Sequence, residues 1–144
     1  MRSILASIGL MLLLNSIVGC SAPDRSGVSG NVTLDGTPLE TGEIMFVPTE
    51  GTKGPTAGGS IRGGIYEVPY AKGAAVGRNR VIINSQAKTG RVIKSLEDLH
   101  PEYAEIIPAK YNEQSELVYE LKPGKNEINI ELHGRIPVEA SQRK

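Results

Sequence analysis

The chain contains a single cysteine, Cys20, no tryptophan, one phenylalanine and two histidines. One cysteine leaves no disulfide within the chain, so stability rests on buried apolar side chains rather than covalent staples. Metal centres need several convergent donors. The histidines, His100 and His133, lie far apart with no neighbouring His-x-His pair, so no metal and no cofactor is expected. No G-x-S-x-G elbow is present, and catalysis is not expected. Five tyrosines without tryptophan supply few rings on which a glycan could stack. Formal net charge is zero, so no bulk polyanion is implied as partner. No run reaches the ~20 apolar residues of a comfortable membrane span. The longest stretch, residues 4–18, is broken by Ser7, Gly9, Asn15 and Ser16.

That stretch, with Arg2 before it, has the layout of an export signal over residues 1–19. Its end, Ile17-Val18-Gly19-Cys20, resembles the bacterial lipobox. The resemblance implies cleavage between Gly19 and Cys20, a diacylglycerol on the Cys20 thiol and an acylated new amino terminus. Several acyl chains hold a protein on a membrane where one is marginal. Ser21, rather than aspartate, follows the cysteine. In a Gram-negative envelope this points to the outer membrane more than the inner. Export also separates the chain from nucleic acid. Residues 20–27 read as a lipidated tether.

Seventeen glycines and nine prolines punctuate the remainder. Between them apolar residues alternate with polar ones, the period of strands with one face buried. Val28, Val32 and Leu34 share a face, with Gly30 between them; Asp35-Gly36 is a tight-turn signal. Ile44 with Phe46, Tyr66 with Val68, and Val81 with Ile83 continue the pattern; Ile61 lies in a further short strand before Gly63-Gly64. Leu117, Tyr119 and Leu121 alternate over residues 115–121, and Ile128, Ile130 and Leu132 over residues 127–132. Seven short strands separated by turns predict an all-β, seven-stranded antiparallel β-sandwich over residues 28–133. Residues 134–144 lack a period and read as a flexible tail.

Residues 86–110 are too long for a plain connection. Ser95 with Asp98 suggests a helix cap, and Leu96, Leu99 and Tyr103 would share a helical face, so one short helix is expected there. Charge segregates around the same region. Arg78, Arg80, Lys88, Arg91 and Lys94 come with no acid among them, and Glu97, Asp98, Glu102, Glu105, Glu113, Glu116 and Glu120 follow. Two readings stand: a basic edge for an envelope partner, or neighbouring segments that neutralise one another. Tyr111 is a further candidate for partner binding; the alternative packs its ring at a sheet corner with its hydroxyl bonded to backbone. Asp24, Asp35, Glu40 and Glu43 lack calcium-loop spacing and read as turn and surface acids.

In order, VSGNVTLDGTPLETGEIMFVP, GGSIRGGIYEV, the strand after Gly77, IPAKYNEQSEL and GKNEINIEL resemble the small lipoproteins of planctomycetes. These are similar in pattern to carboxypeptidase regulatory-like domains. The resemblance implies a transthyretin-like (prealbumin-like) sandwich and a non-catalytic role. Asn79 stands where many such chains carry an aromatic. Similar folds include iron dioxygenases that use two tyrosines and two histidines, a set His100, His133, Tyr103 and Tyr111 do not match in spacing. They also include hydroxyisourate hydrolases, whose ending differs from Ser141-Gln142-Arg143-Lys144. The expectation is a lipid-anchored, non-catalytic cell-envelope module with a structural or protein-interaction role; the alternative is a surface lipoprotein that binds a small ligand or glycan.

Overall fold

The computed structural model describes residues 25–95 and 98–138. The expected export signal, its expected cleavage site and Cys20 lie outside the described residues. What is described is all-β, with two short 3-10 turns and no α-helix.

The organising element is β1 (Arg25–Leu34), which pairs with five other strands. The Asp35-Gly36 turn, both residues at positive φ, folds β2 (Thr37–Pro38) back onto its end. Next come β3 (Thr41–Pro48), β4 (Ala57–Arg62) and β5 (Ile65–Val68). Gly63 and Gly64, also at positive φ, turn β4 into β5, which returns antiparallel to β1 with Val28 opposite Val68. The two-residue β6 (Ala74–Ala75) pairs with the start of β1. Then β7 (Gly77–Asn84) lies against β3, with Glu43 opposite Asn84 and Phe46 opposite Val81. The chain continues through β8 (Gln86–Lys94), β9 (Leu99–Glu105), β10 (Val118–Leu121), β11 (Gly124–Glu127) and β12 (Ile130–Leu132). Hydrogen bonding runs in the order β10-β7-β3-β4-β5-β1-β11.

This curled sheet closes over one core. Val28, Val32, Ile44, Phe46, Ile61, Tyr66, Val68, Val81, Ile83, Leu121, Ile130 and Leu132 are buried. These are the inward positions of the alternation. Phe46 and Tyr66 form the aromatic centre, with ring centroids 6.2 Å apart, within the range of a favourable tilted pair. Burial pushes the Tyr66 hydroxyl well above its ordinary pKa, and that hydroxyl donates to the Ile128 carbonyl at 2.8 Å.

The final strands depart from the antiparallel expectation. Both β11 and β12 run parallel to β1, and the stretch expected as one strand is split at Ile128-Asn129. The reason lies at Gly30. A Cβ there would sit 1.9 Å from the Ile128 carbonyl oxygen. The crossing chain thus occupies the space a side chain would need. Asn129 Oδ1 accepts the Asn31 N–H at 2.8 Å, taking over from the interrupted ladder.

Three other boundaries shift. The first strand begins at Arg25, three residues inside the expected tether, because β6 and β11 offer it partners. Strand β10 starts at Val118 rather than Ser115; the buried Ser115 hydroxyl instead donates to the Val81 carbonyl. Residues 134–138, expected to open a loose tail, are tied down. Gly134 and Arg135 N–H groups donate to the Asp35 carboxylate at 2.8 and 2.9 Å, and Ile136 N–H to the Ile106 carbonyl. These bonds hold the Asp35 carboxyl below its ordinary pKa.

Candidate functional site

Residues 86–105 form no helix among those described. They make a two-stranded antiparallel hairpin, β8 against β9, with Gln86 opposite Glu105 and Lys94 opposite Leu99. Ser95 serves its turn, its N–H donating to the Asp98 carbonyl at 2.9 Å, rather than capping a helix. The physical cause is local. Val92 and Ile93 are β-branched, and Pro101 removes a donor that a helix interior requires. At the edge of a hairpin that loss is harmless.

Strands β7 and β8 are one path with Ser85 between them. The Val81 N–H donates to the Leu117 carbonyl, and the Ile106 N–H to the Ser85 carbonyl. Alternate residues send their backbone groups to the same side. Strands β10 and β9 therefore lie on one side of this path and β3 on the other. Strand β3 begins at Thr41, so β8 runs on past it with no neighbouring strand on that side among the described residues.

The hairpin's base is firmly held. Glu105 Oε1 accepts from the N–H groups of Ser85, Ile106 and Ile107 at 3.1, 3.2 and 2.9 Å. Ala87 and Ala104 pack toward the core. Beyond the base the side chains turn to solvent. Leu99 is 64% exposed, Val92 62%, Ile93 51% and Tyr103 50%. A register shift between Lys88 and Val92 brings Thr89 and Arg91 onto Glu102, at 2.7 and 2.8 Å. The Thr89 hydroxyl first, then Arg91, hold the Glu102 carboxyl below its ordinary pKa.

Clefts open on both faces of the space beside β8. On the inner side a cleft of about 430 Å³ has Leu34, Leu39, Ala87 and Ile106 in its wall, with Lys88 and Arg135 also lining it. On the outer side one of about 510 Å³ is lined by Thr41, Glu43, Gln86, Tyr103 and Glu105.

The sequence-derived candidates distribute as follows. Arg78, Arg80, Lys88 and Lys94 share the outward parity of the β7–β8 path, all four exposed. Arg78 is engaged by Glu50 at 2.6 Å and Arg91 by Glu102, so part of the basic run is neutralised locally. Tyr111 does not join them. It is 8% exposed, and its hydroxyl accepts the His133 N–H at 3.1 Å. A ring so placed offers no platform to a partner. Asn79 is buried, its amide donating to the Ala75 and Gly77 carbonyls at 2.8 and 2.9 Å. The exposed apolar residues of the hairpin were missed in the sequence because Leu99 and Tyr103 also fit a helical spacing. The available signal was the β-branched pair Val92-Ile93.

His100 Nε2 lies 3.2 Å from the Ser95 hydroxyl, both exposed at the hairpin turn, while His133 directly follows β12. Among the described residues no three of His, Cys, Asp and Glu converge on a point that would hold a metal. Comparison of the chain with protein-family models, with curated proteins and with solved structures gives no match.

Proposed function

We propose that this protein is a lipid-anchored, non-catalytic cell-envelope module whose β-domain presents the β8–β9 hairpin to a protein partner. In this reading the curled sheet is a β-sandwich of the carboxypeptidase regulatory-like, transthyretin-like kind, as in small planctomycete lipoproteins. Acyl chains on Cys20 fix it to an envelope membrane, the outer one in a Gram-negative cell. The observation that carries the reading is the hairpin itself. Two strands alone are marginal in water. Yet this pair extends beyond the core with Val92, Ile93, Leu99 and Tyr103 half or more exposed. Apolar side chains grouped on one projecting element are typical of association surfaces.

The two clefts support a second reading, in which a small ligand or glycan settles beside Tyr103. The readings separate in intact cells. The tagged full chain is crosslinked and recovered, with Cys20→Ser as the unanchored control. A discrete protein attached through residues 86–105, and lost in the control, supports the module. Recovery of lipid and wall polymer alone would favour ligand binding and remove the first reading.

A further inference from the structure

We infer that the open edge of β8 accepts an extended acidic segment of another protein as an added strand. This deepens the proposed function and rests on the hairpin being the interaction element.

Among the described residues β8 pairs only with β9, so its second edge presents there a row of unpaired backbone donors and acceptors. The parity set by Ser85 assigns that row to Gln86, Lys88, Val92 and Lys94. The edge continues the line of β3, and clefts open on both of its faces. A strand laid there would send alternate side chains to opposite faces. One set meets the apolar wall of Leu39, Ala87 and Ile106, bordered by Lys88; the other meets Thr41, Gln86 and Tyr103, with Glu43 and Glu105 at the base of the hairpin.

Charge selects the occupant. Gln86–Lys94 carries Lys88, Arg91 and Lys94 and no acid. Its opposite edge already holds an acidic strand, β9, whose Glu102 takes Thr89 and Arg91. Lys88 and Lys94 have no ion-pair partner among the described residues. The other occupants fit less well. A second copy pairing β8 with β8 would set like charges opposite one another, which destabilises a ladder. Pairing β8 with the outer edge of β9 meets Pro101, which lacks the donor on that side. An anionic bilayer would meet Asp98, Glu102 and Glu105 beside the lysines.

The test uses the full chain in detergent and two synthetic extended peptides, one alternating Glu and Val, the other Lys and Val. Amide hydrogen exchange is followed residue by residue. The Glu-Val peptide should slow exchange at Gln86, Lys88, Val92 and Lys94 by about tenfold or more, and the effect should weaken as salt is raised. The Lys-Val peptide should do neither. Lys88→Pro removes an outward N–H without touching the bonds to β9, and should abolish the protection while the melting transition stays cooperative. Lys88→Glu combined with Lys94→Glu should reverse the preference between the peptides. No protection, equal protection by both peptides, or protection only from anionic vesicles would overturn the proposal. Its failure is separable from that of the proposed function. If cells yield a partner whose crosslink survives Lys88→Pro, the module stands and the edge falls. If no partner is captured but the Glu-Val peptide protects, the edge stands and the module falls.

Discussion

The strand β1 and the strand β8 are of similar length, ten and nine residues, and meet opposite fates. Strand β1 has partners on both sides and sends Val28, Val32 and Leu34 into the core. Strand β8 has one partner among the described residues, and none of its side chains is fully buried. Length and strand propensity therefore do not decide what a strand contributes. The number of partnered edges and buried faces does. Stability concentrates where both are high, and local opening occurs where both are low.

Substitutions in the two regions should differ accordingly. The largest effect is expected at Phe46, which is fully buried against Tyr66. Phe46→Ala should cost about 3–5 kcal/mol through lost burial and the cavity left behind. Chemical denaturation would measure it. Gly30→Ala should follow, at about 1–3 kcal/mol for forcing the chain at Ile128 away from β1. A melting temperature equal to that of the parent would show that the crossing can shift freely. Tyr66→Phe removes only the bond to the Ile128 carbonyl and should cost about 1 kcal/mol.

Acid should act on the far end of β1. The native Asp35 carboxyl has its pKa lowered from 3.8 by the Gly134 and Arg135 N–H groups. A carboxylate with depressed native pKa contributes stability above its unfolded value and loses it as pH falls through the native one. The contact should persist at pH 5 and above, and be lost only below about pH 4. Amide chemical shifts of Gly134 and Arg135 would follow this, and Asp35→Asn should flatten their titration. The smallest effect belongs to the hairpin. Leu99→Ser, at a position 64% exposed, should change global stability by no more than about 0.5 kcal/mol. A larger loss would mean that the tip of the hairpin is packed in solution.

Much of the core was legible in the alternation. Val28, Val32, Leu34, Ile44, Phe46, Tyr66, Val81 and Ile83 point inward as their spacing implies. Both glycine-bearing turns, Asp35-Gly36 and Gly63-Gly64, stand where their residue types place them. What escaped was information carried by distant neighbours. Nothing around Ile128 announces that the chain crosses β1 there, because the cause is the missing side chain of Gly30, far away in sequence. The hairpin escaped for a different reason. Leu99 and Tyr103 satisfy a helical spacing as well as a strand, and only Pro101 and the β-branched Val92-Ile93 decide between them. Tyr111 was legible as a buried corner residue. Its ring is closed off by the chain at His133.

The division between a self-sufficient β-domain and a hairpin kept for binding can be tested by removing the hairpin. Ala87 and Ala104 face one another across the ladder, in the same hydrogen-bonded parity as Ser85 and Ile106. Residues 88–103 can therefore be replaced by Asn-Gly, the pair that best closes a two-residue hairpin turn. Thermal melting of the shortened full chain, read beside its crosslinking yield in cells, is the most direct measurement. The account predicts a cooperative transition close to that of the parent and loss of the captured protein. A collapse of the melting transition, or undiminished capture, would contradict it.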